Sequence, residues 1–367
     1  MAGGNKNLKK QIISLSALVL LIFITFRTLR ANFKELNFED LKETFFKLDK
    51  TYLSLAVFFL ALLIFVEACN IRFIIKQIGR KCTLSQSVLY SASDLYFSAM
   101  TPSASGGQPA AIYYMSKNGI PVAEGSAVML LNISMYVGSI MVLTLVALVS
   151  KFSFFWQQNL LFKSLFLVGI CIQIVGMFLC LSAMFSKNTL AKLERFAVKI
   201  IYSFKFVRYK EEKAAAINKN LATYFASANL AKSKPYLMPV LLLGNIVQRV
   251  CMFGIGYFVY RAFFYNQASF FDFSMVQTML FVAVNAIPLP GAVGVSEATF
   301  LALFKGIYKS HKTLAQGMLF TRGINYYLCF LVCCIITLAN HAYPSVRDAR
   351  VFEMLGSPGL STCRCQE

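Results

Sequence analysis

The sequence predicts an all-α protein that crosses a membrane several times. Of its 367 residues, 57% are hydrophobic, and the mean hydropathy is +0.62. The apolar residues fall in blocks of about 20, the length of helix that spans a hydrocarbon core of roughly 30 Å. The charged residues stand in the gaps between these blocks. A soluble all-α protein is the alternative, but soluble domains disperse their apolar residues along the chain.

Six apolar blocks are long enough to cross a bilayer. They cover residues 11–27, 51–71, 121–150, 160–186, 236–262 and 313–340. The first block follows Lys9 and Lys10, as the apolar part of a signal peptide would. Arg27 and Arg30 come after it with no small-residue cleavage site, so we interpret it as an uncleaved span.

Two further apolar stretches, 84–118 and 274–309, are each divided by a cluster of Pro and Gly residues. The clusters occupy 101–109 and 288–297. The pieces on either side are about 14 residues long, which is too short to cross a bilayer and is typical of re-entrant helices. We therefore expect two helical hairpins whose tips lie inside the membrane, where protein or a water-filled cavity must satisfy the backbone. Two pairs of ordinary kinked helices are the alternative.

With both hairpins, the second half of the chain repeats the first half upside down. Inverted repeats with paired broken segments are typical of transporters, with the site where the breaks meet. We expect a first membrane repeat at 1–150, a second at 151–342 and a cytoplasmic tail at 343–367. Both termini then lie in the cytoplasm, and the protein is expected in a bacterial inner membrane.

The distribution of Lys and Arg supports this orientation in part. The segment 187–234 is strongly basic, and the positive-inside rule assigns it to the cytoplasm. The loop 27–50 opposes this orientation, because it places six basic residues outside. The spacing of Phe38, Leu41 and Phe45 in that loop predicts an amphipathic helix lying on the membrane surface.

The net charge of +20 raises the question of nucleic acid. Because the charge flanks apolar spans and no nucleic-acid module is visible, we assign it to orientation and to anionic lipid headgroups. Most of the ten cysteines lie in apolar spans, where a thiol acts as a small hydrophobe. His311 and His341 are isolated. The sequence therefore predicts no metal site, no cofactor and no catalytic constellation, and any transport uses no ATP bound by this chain.

The candidate site residues are polar or ionisable residues at membrane depth, together with the helix starts after each break. Such residues are costly in hydrocarbon and usually functional, while free backbone N–H groups at a helix start favour an anion such as phosphate. The candidates are Asp94, Ser103, Ser105, Gly106, Gly107, Gln108, Arg249, Pro290, Gly291, Gly294, Ser296, Glu297 and Arg322. In the alternative, the glycines only permit tight packing, and Asp94 or Glu297 pairs with an arginine.

Asn285, beside the second break, is a further candidate. Glu124, Asn132 and Asn325 lie within or near apolar blocks and carry weaker signals. Glu67 is interpreted as a residue near the membrane interface, with its carboxylate reaching toward water.

Two motifs resemble those of the lysylphosphatidylglycerol synthase transmembrane family. The first is Thr101-Pro102 followed by Gly106-Gly107, and the second, more specific, is the run from Pro288 to Ala298. The resemblance covers roughly residues 8–342. It implies the flippase part of the multiple peptide resistance factor, which moves aminoacylated phosphatidylglycerol outward and so confers resistance to cationic antimicrobial peptides.

The resemblance also bears on enzymatic activity. Full-length members continue into a soluble aminoacyltransferase domain, and this chain ends about 25 residues after its last span, so we expect no lysine transfer despite the family name. Gln108 stands where we expect an acidic residue in many relatives. We expect a phospholipid, of the lysylphosphatidylglycerol type, as the transported partner. Two alternatives remain: a membrane subunit that anchors a separate lipid-modifying enzyme, and a carrier of polyprenyl-phosphate-linked lipids.

Overall fold

The computed structural model describes residues 38–101, 104–185, 233–285, 287, 292 and 294–342. All regular elements in these ranges are helices. Several predictions fall outside the described residues: the first span at 11–27, nearly all of the basic segment, the tail, and the candidates Ser103, Pro290 and Gly291.

Five helices are long and apolar enough to cross a membrane. Four of them are α2 (Lys50–Gln77), α5 (Val122–Ser150), α7 (Leu160–Phe185) and α8 (Leu237–Ala262). The fifth is the last helix, in which His311–Asn340 is long and apolar enough to cross. The last helix consists of α11 (His311–Arg322), a π-helical stretch (Gly323–Leu328) and α12 (Cys329–Ala342). These lengths confirm five of the six predicted spans as helices of spanning length.

Two pairs of shorter helices occupy the segments that contain the Pro/Gly clusters. The first pair is α3 (Leu84–Met100) and α4 (Gly107–Lys117), and the second is α9 (Phe270–Asn285) and α10 (Val295–Phe304). The helices of each pair pack against each other. Each pair is thus interrupted where the sequence places its break.

Two helices lie outside this set. The amphipathic helix α1 (Phe38–Lys47) forms where the sequence predicts it. Its Thr44 Oγ1 accepts a hydrogen bond from Gln316 Nε2 of α11 at 2.8 Å, and Phe46 is 67% exposed. A short helix, α6 (Phe152–Gln157), connects α5 to α7.

The centre of the molecule is the contact between α2 and α8. Around it, α3 packs on α2 and α12, while α9 packs on α8 and α5. Apolar side chains fill the spaces between these helices. The Phe304 ring, for example, packs against Phe273 and Phe300, with centroid distances of 4.7 Å to Phe273 and 4.3 Å to Phe300. Gly169 of α7 lets that helix approach the α9 backbone, because a Cβ there would lie 2.2 Å from the Val282 carbonyl oxygen.

Some boundaries differ from the prediction. Helix α2 continues to Gln77 instead of ending at residue 71, because the charged residues Arg72 and Lys76 extend the helix beyond the apolar block. The Arg72 guanidinium donates to the Cys82 carbonyl at 3.1 Å. The helix after the second break, Val295–Phe304, begins within the Pro/Gly cluster at 288–297.

Candidate functional site

Two adjacent cavities lie where the two breaks meet. The larger cavity measures about 310 Å³ and the smaller about 240 Å³. Ser98 and Ala104 from the first break and Asn285 from the second line both cavities. Residues from both broken segments therefore line the same two cavities.

Most of the residues that line the larger cavity are polar, and the cavity lies near the middle of α8. Arg249, on its wall, is 12 residues from Leu237 and 13 from Ala262. At 1.5 Å per residue, its Cα lies about 18–20 Å from either end of the helix. A buried charge at that depth in a spanning helix is costly unless a partner or a ligand compensates it.

The described residues do not supply a hydrogen-bond acceptor for every N–H donor of the Arg249 guanidinium. The residue is 5% exposed. Its Cζ lies 4.7 Å from the ring centroid of Tyr136, and its Nη1 lies 3.2 Å from Met252 Sδ. Its Nε has no hydrogen-bond partner among the described residues. A buried donor without a partner costs about 1–3 kcal/mol, which a bound acceptor removes.

A pair of carboxyl groups lies opposite Arg249 in the same cavity. The side chains of Glu67 and Asp94 are within hydrogen-bonding contact of each other, and both are buried. Glu67 Oε2 also accepts hydrogen bonds from Ser91 Oγ at 3.2 Å and from Gln248 Nε2 at 3.1 Å. The interpretation of Glu67 as a residue whose carboxylate reaches toward water is wrong, because the residue is 5% exposed and its carboxylate is bound inside the protein, where the residue lines the larger cavity.

The backbone of the first break holds Asp94 in place. Gly107 begins α4 beside α3, and a Cβ at this position would lie 1.9 Å from Asp94 Oδ1 and 2.1 Å from Ser98 Oγ. Only glycine permits this approach. At Gly106, a Cβ would lie 2.6 Å from Thr101 Cγ2, whose hydroxyl accepts from the Gly106 N–H at 2.8 Å. The two glycines thus serve the close packing that brings the carboxyl pair to the cavity.

The smaller cavity is mostly apolar and carries one ion pair at its edge. Arg322 lines the cavity, and its Nε and Nη2 each lie 2.8 Å from Glu297 Oε1. The Arg322 guanidinium also lies over the Tyr326 ring, with Cζ 5.0 Å from its centroid. These two candidates are partners of each other in this structure.

Glu297 is also bound to the start of its own helix. Its Oε2 accepts from the Gly294 N–H at 2.6 Å and from Ser296 Oγ at 3.1 Å. Gly294 has φ of +90°, which favours glycine. The N-terminus of α10 is therefore occupied by a carboxylate of the protein itself.

The candidate residues divide between the two cavities. Asp94, Ser105, Gln108 and Arg249 line the larger one, while Ser296 and Arg322 line the smaller one. Asn285 lines both cavities. Of the weaker candidates, Asn132 lines the larger cavity and Asn325 lines the smaller one.

Glu124 lies apart from both cavities. It accepts two hydrogen bonds from Arg80, at 2.7 and 2.8 Å. These bonds raise the pKa of the Arg80 guanidinium above its ordinary value.

Sequence reasoning missed Gln248 and Asn245, neutral residues that both line the larger cavity. Asn245 lies four residues before Arg249 and three before Gln248 in α8, so it shares a helix face with each of them, and that signal was available. In the described ranges, no group of three or more His, Cys, Asp and Glu residues is arranged to hold a metal ion.

Several apolar helices around buried polar cavities define a multi-pass membrane protein. Residues 11–333 match the model of the lysylphosphatidylglycerol synthase TM region, and the chain belongs to that family, as its motifs predict. The chain is also similar to a UPF0104 membrane protein of Archaeoglobus fulgidus. The two are 24% identical over 245 residues, which cover 65% of this chain and 71% of the relative.

Proposed function

We propose that this protein moves an anionic or aminoacylated phospholipid, of the lysylphosphatidylglycerol type, between the leaflets of a bacterial inner membrane. Family membership supports the pathway, since the family takes its name from lysylphosphatidylglycerol synthesis. The observation that carries the proposal is the buried Arg249, whose Nε has no partner in the part of the chain that the structure describes, and whose cavity adjoins a second, mostly apolar one. A headgroup phosphate would accept a hydrogen bond from Arg249 Nε, and acyl chains suit the mostly apolar cavity.

The proposed architecture has six spans and two re-entrant hairpins in an inverted repeat, with both termini in the cytoplasm. The packing of the described helices supports it. Helix α3 packs on α2 and α12, and its counterpart α9 packs on α8 and α5. Under the repeat, α2 corresponds to α8, and α5 corresponds to the last span. Each hairpin therefore contacts the preceding span of its own repeat and the last span of the other.

In the proposed path, the phosphate of the headgroup binds Arg249 in the larger cavity. Guanidinium groups suit phosphate because their N–H donors bind two oxygens at once. A positively charged amino group on the same headgroup binds at Asp94. Arg322, with its side chain 19% exposed, contacts the phosphate as the headgroup passes the smaller cavity.

The test uses the purified full chain in liposomes that contain phosphatidylglycerol and lysylphosphatidylglycerol. A membrane-impermeant amine reagent reports how much of the lysylated lipid is in the outer leaflet. Losing a hydrogen bond to a charged group costs about 1.5–3 kcal/mol, so we expect Arg249→Met to lower apparent lipid affinity roughly 10–100-fold.

Arg261→Met is the matched control. Arg261 lies in the same helix, where it contacts Tyr52 and Tyr257 and lines neither cavity. We expect this variant to move lipid at the wild-type rate. Equal loss in both variants, or no loss in Arg249→Met while the protein stays monodisperse, would contradict the proposal.

A further inference from the structure

The larger cavity presents two buried acceptor atoms without partners. Asn132 Oδ1 and Asn245 Oδ1 have no hydrogen-bond donor among the described residues, and the two residues are 6% and 1% exposed. Both residues line the cavity that contains Glu67 and Asp94. Buried acceptors of this kind require N–H or O–H donors. An alkylammonium group is a ligand with three such donors and a positive charge.

Among the described residues, the carboxyl pair has one positively charged neighbour, Arg249 on α8. In the same part of the chain, the other ionisable groups that face the pair are Tyr136 on α5 and Cys333 on α12, and both side chains are neutral at neutral pH in their ordinary state. The remaining contacts, such as Ser98 Oγ to Asp94 Oδ1 at 3.3 Å, are neutral. Two carboxyl groups in contact, shielded from water, do not both ionise, so they hold one proton between them.

We infer that the Glu67–Asp94 pair carries one exchangeable proton in the empty cavity and releases it to water when a lipid amino group binds there. The protein then exchanges a positively charged lipid for a proton. This inference rests on the proposed function and adds its driving force. The step is a proton transfer: the O–H bond of the protonated carboxyl breaks, water takes the proton, and the ammonium group takes its place between the two carboxylates.

The charges of the site favour this exchange. With one proton on the pair, the pair and Arg249 together carry no net charge. Lysylphosphatidylglycerol has one phosphate and two amino groups, so its headgroup carries one net positive charge. When it replaces the proton, the pair is fully ionised and the site with its lipid is again neutral. Phosphatidylglycerol, with a phosphate alone, leaves the site negative and displaces no proton.

A direction follows from the exchange. Protons that enter the cell from an acidic exterior are coupled to lipid that moves to the outer leaflet. Collapse of the pH gradient then leaves the lipid equally distributed. Because exchange is reversible, the response has the same sign for either orientation of the protein in a liposome.

The first experiment measures proton release without transport. The full chain in weakly buffered detergent is titrated with lysylphosphatidylglycerol, and a pH dye reports the protons released. We expect about one proton per lipid bound for the wild type, and essentially none with phosphatidylglycerol. Glu67→Gln and Asp94→Asn should release none, since each amide resembles a protonated carboxyl and keeps the shape of the site. Glu124→Gln, which removes an ion-paired carboxylate outside the cavities, should release as much as wild type.

Free lysine separates the lipid headgroup from its amino acid. It carries the amino groups without the phosphate that binds Arg249, so we expect no comparable release. Release by free lysine equal to that by the lipid would overturn the assignment of a lipid. Absence of release by the wild type with bound lysylated lipid would overturn the proton site.

The second experiment adds a pH gradient to the liposome assay. We expect an acidic exterior to enrich the outer leaflet in lysylated lipid, an effect that a protonophore removes and that Glu67→Gln lacks. Wild-type movement that ignores the gradient would refute the exchange while leaving the proposed function intact. No movement under any condition would refute the proposed function, and proton release in detergent would then decide the proton site by itself.

Discussion

The ion pair between Arg322 and Glu297 offers a prediction that separates structural support from lipid contact. We consider Glu297→Gln, Arg322→Met and the double variant. Glu297 is 5% exposed, and both guanidinium contacts to its carboxylate are 2.8 Å long. Removing one partner of a buried pair leaves an uncompensated charge, which costs about 3–5 kcal/mol.

The magnitudes follow from what each variant leaves behind. In Glu297→Gln, Arg322 keeps its contact with the Tyr326 ring and some solvent, so we take the lower limit, about 3 kcal/mol. In Arg322→Met, the carboxylate keeps the Gly294 N–H and the Ser296 hydroxyl, so we expect about 2 kcal/mol. The double variant contains neither charge, and we expect it to recover most of this loss. The coupling free energy, which is the sum of the two single losses less the loss that remains in the double variant, is then about 4 kcal/mol.

The assay combines thermal unfolding in detergent with the leaflet assay in liposomes. We expect each single variant to lower the unfolding temperature by a few degrees, and the double variant to regain it without regaining lipid movement. Wild-type movement by the double variant would refute the placement of Arg322 in the lipid path. The exposed Lys47–Glu43 pair is the control, and its cycle should show a much smaller coupling, since exposed pairs contribute little.

Three further predictions concern close packing and orientation. Gly107→Ala should displace Asp94 and abolish lipid movement, whereas Gly125→Ala, whose Cβ would meet nothing closer than 3.4 Å, should not; equal activity in both variants would contradict this role. Gly169→Ala should lower the free energy of unfolding by about 1–3 kcal/mol, because its Cβ would overlap the Val282 carbonyl, and the unfolding temperature should fall with it. Gly176→Ala in the same helix should change neither quantity. In a background without native cysteines, a cysteine at Gln157 should label from outside and one at Lys81 from the cytoplasm; reversed labelling would refute the orientation.

The sequence predicts the helices well because block length and hydrophobicity decide them. It places the end of α2 wrongly because the helix continues through charged residues outside the apolar block. The burial of Glu67 beside Asp94 depends on how α2 packs on α3, which the place of Glu67 near the end of an apolar block does not show. For Arg322 and Glu297, the sequence indicates two charges at similar depth, but the choice between mutual pairing and a ligand depends on how α10 packs on α11. Asn245 stands at helical spacing from Arg249, whereas Asn132 is an isolated amide whose place in the cavity wall arises from tertiary packing.

The π-helical stretch Gly323–Leu328 determines which side chains of the last span face the neighbouring helices on either side of it. Hydrogen bonds from i to i+5 accommodate one residue more than an α-helix of the same length, and one residue corresponds to a rotation of about 100°. The side chains before it, such as Met318, Thr321 and Arg322, face the smaller cavity, while Phe330 and Cys333 after it pack in the apolar core with Tyr96. Deleting one residue from this stretch would restore a regular α-helix and bring one of the two faces out of register. A relative whose alignment shows a single-residue gap here should therefore also have a different set of residues on one side of the gap.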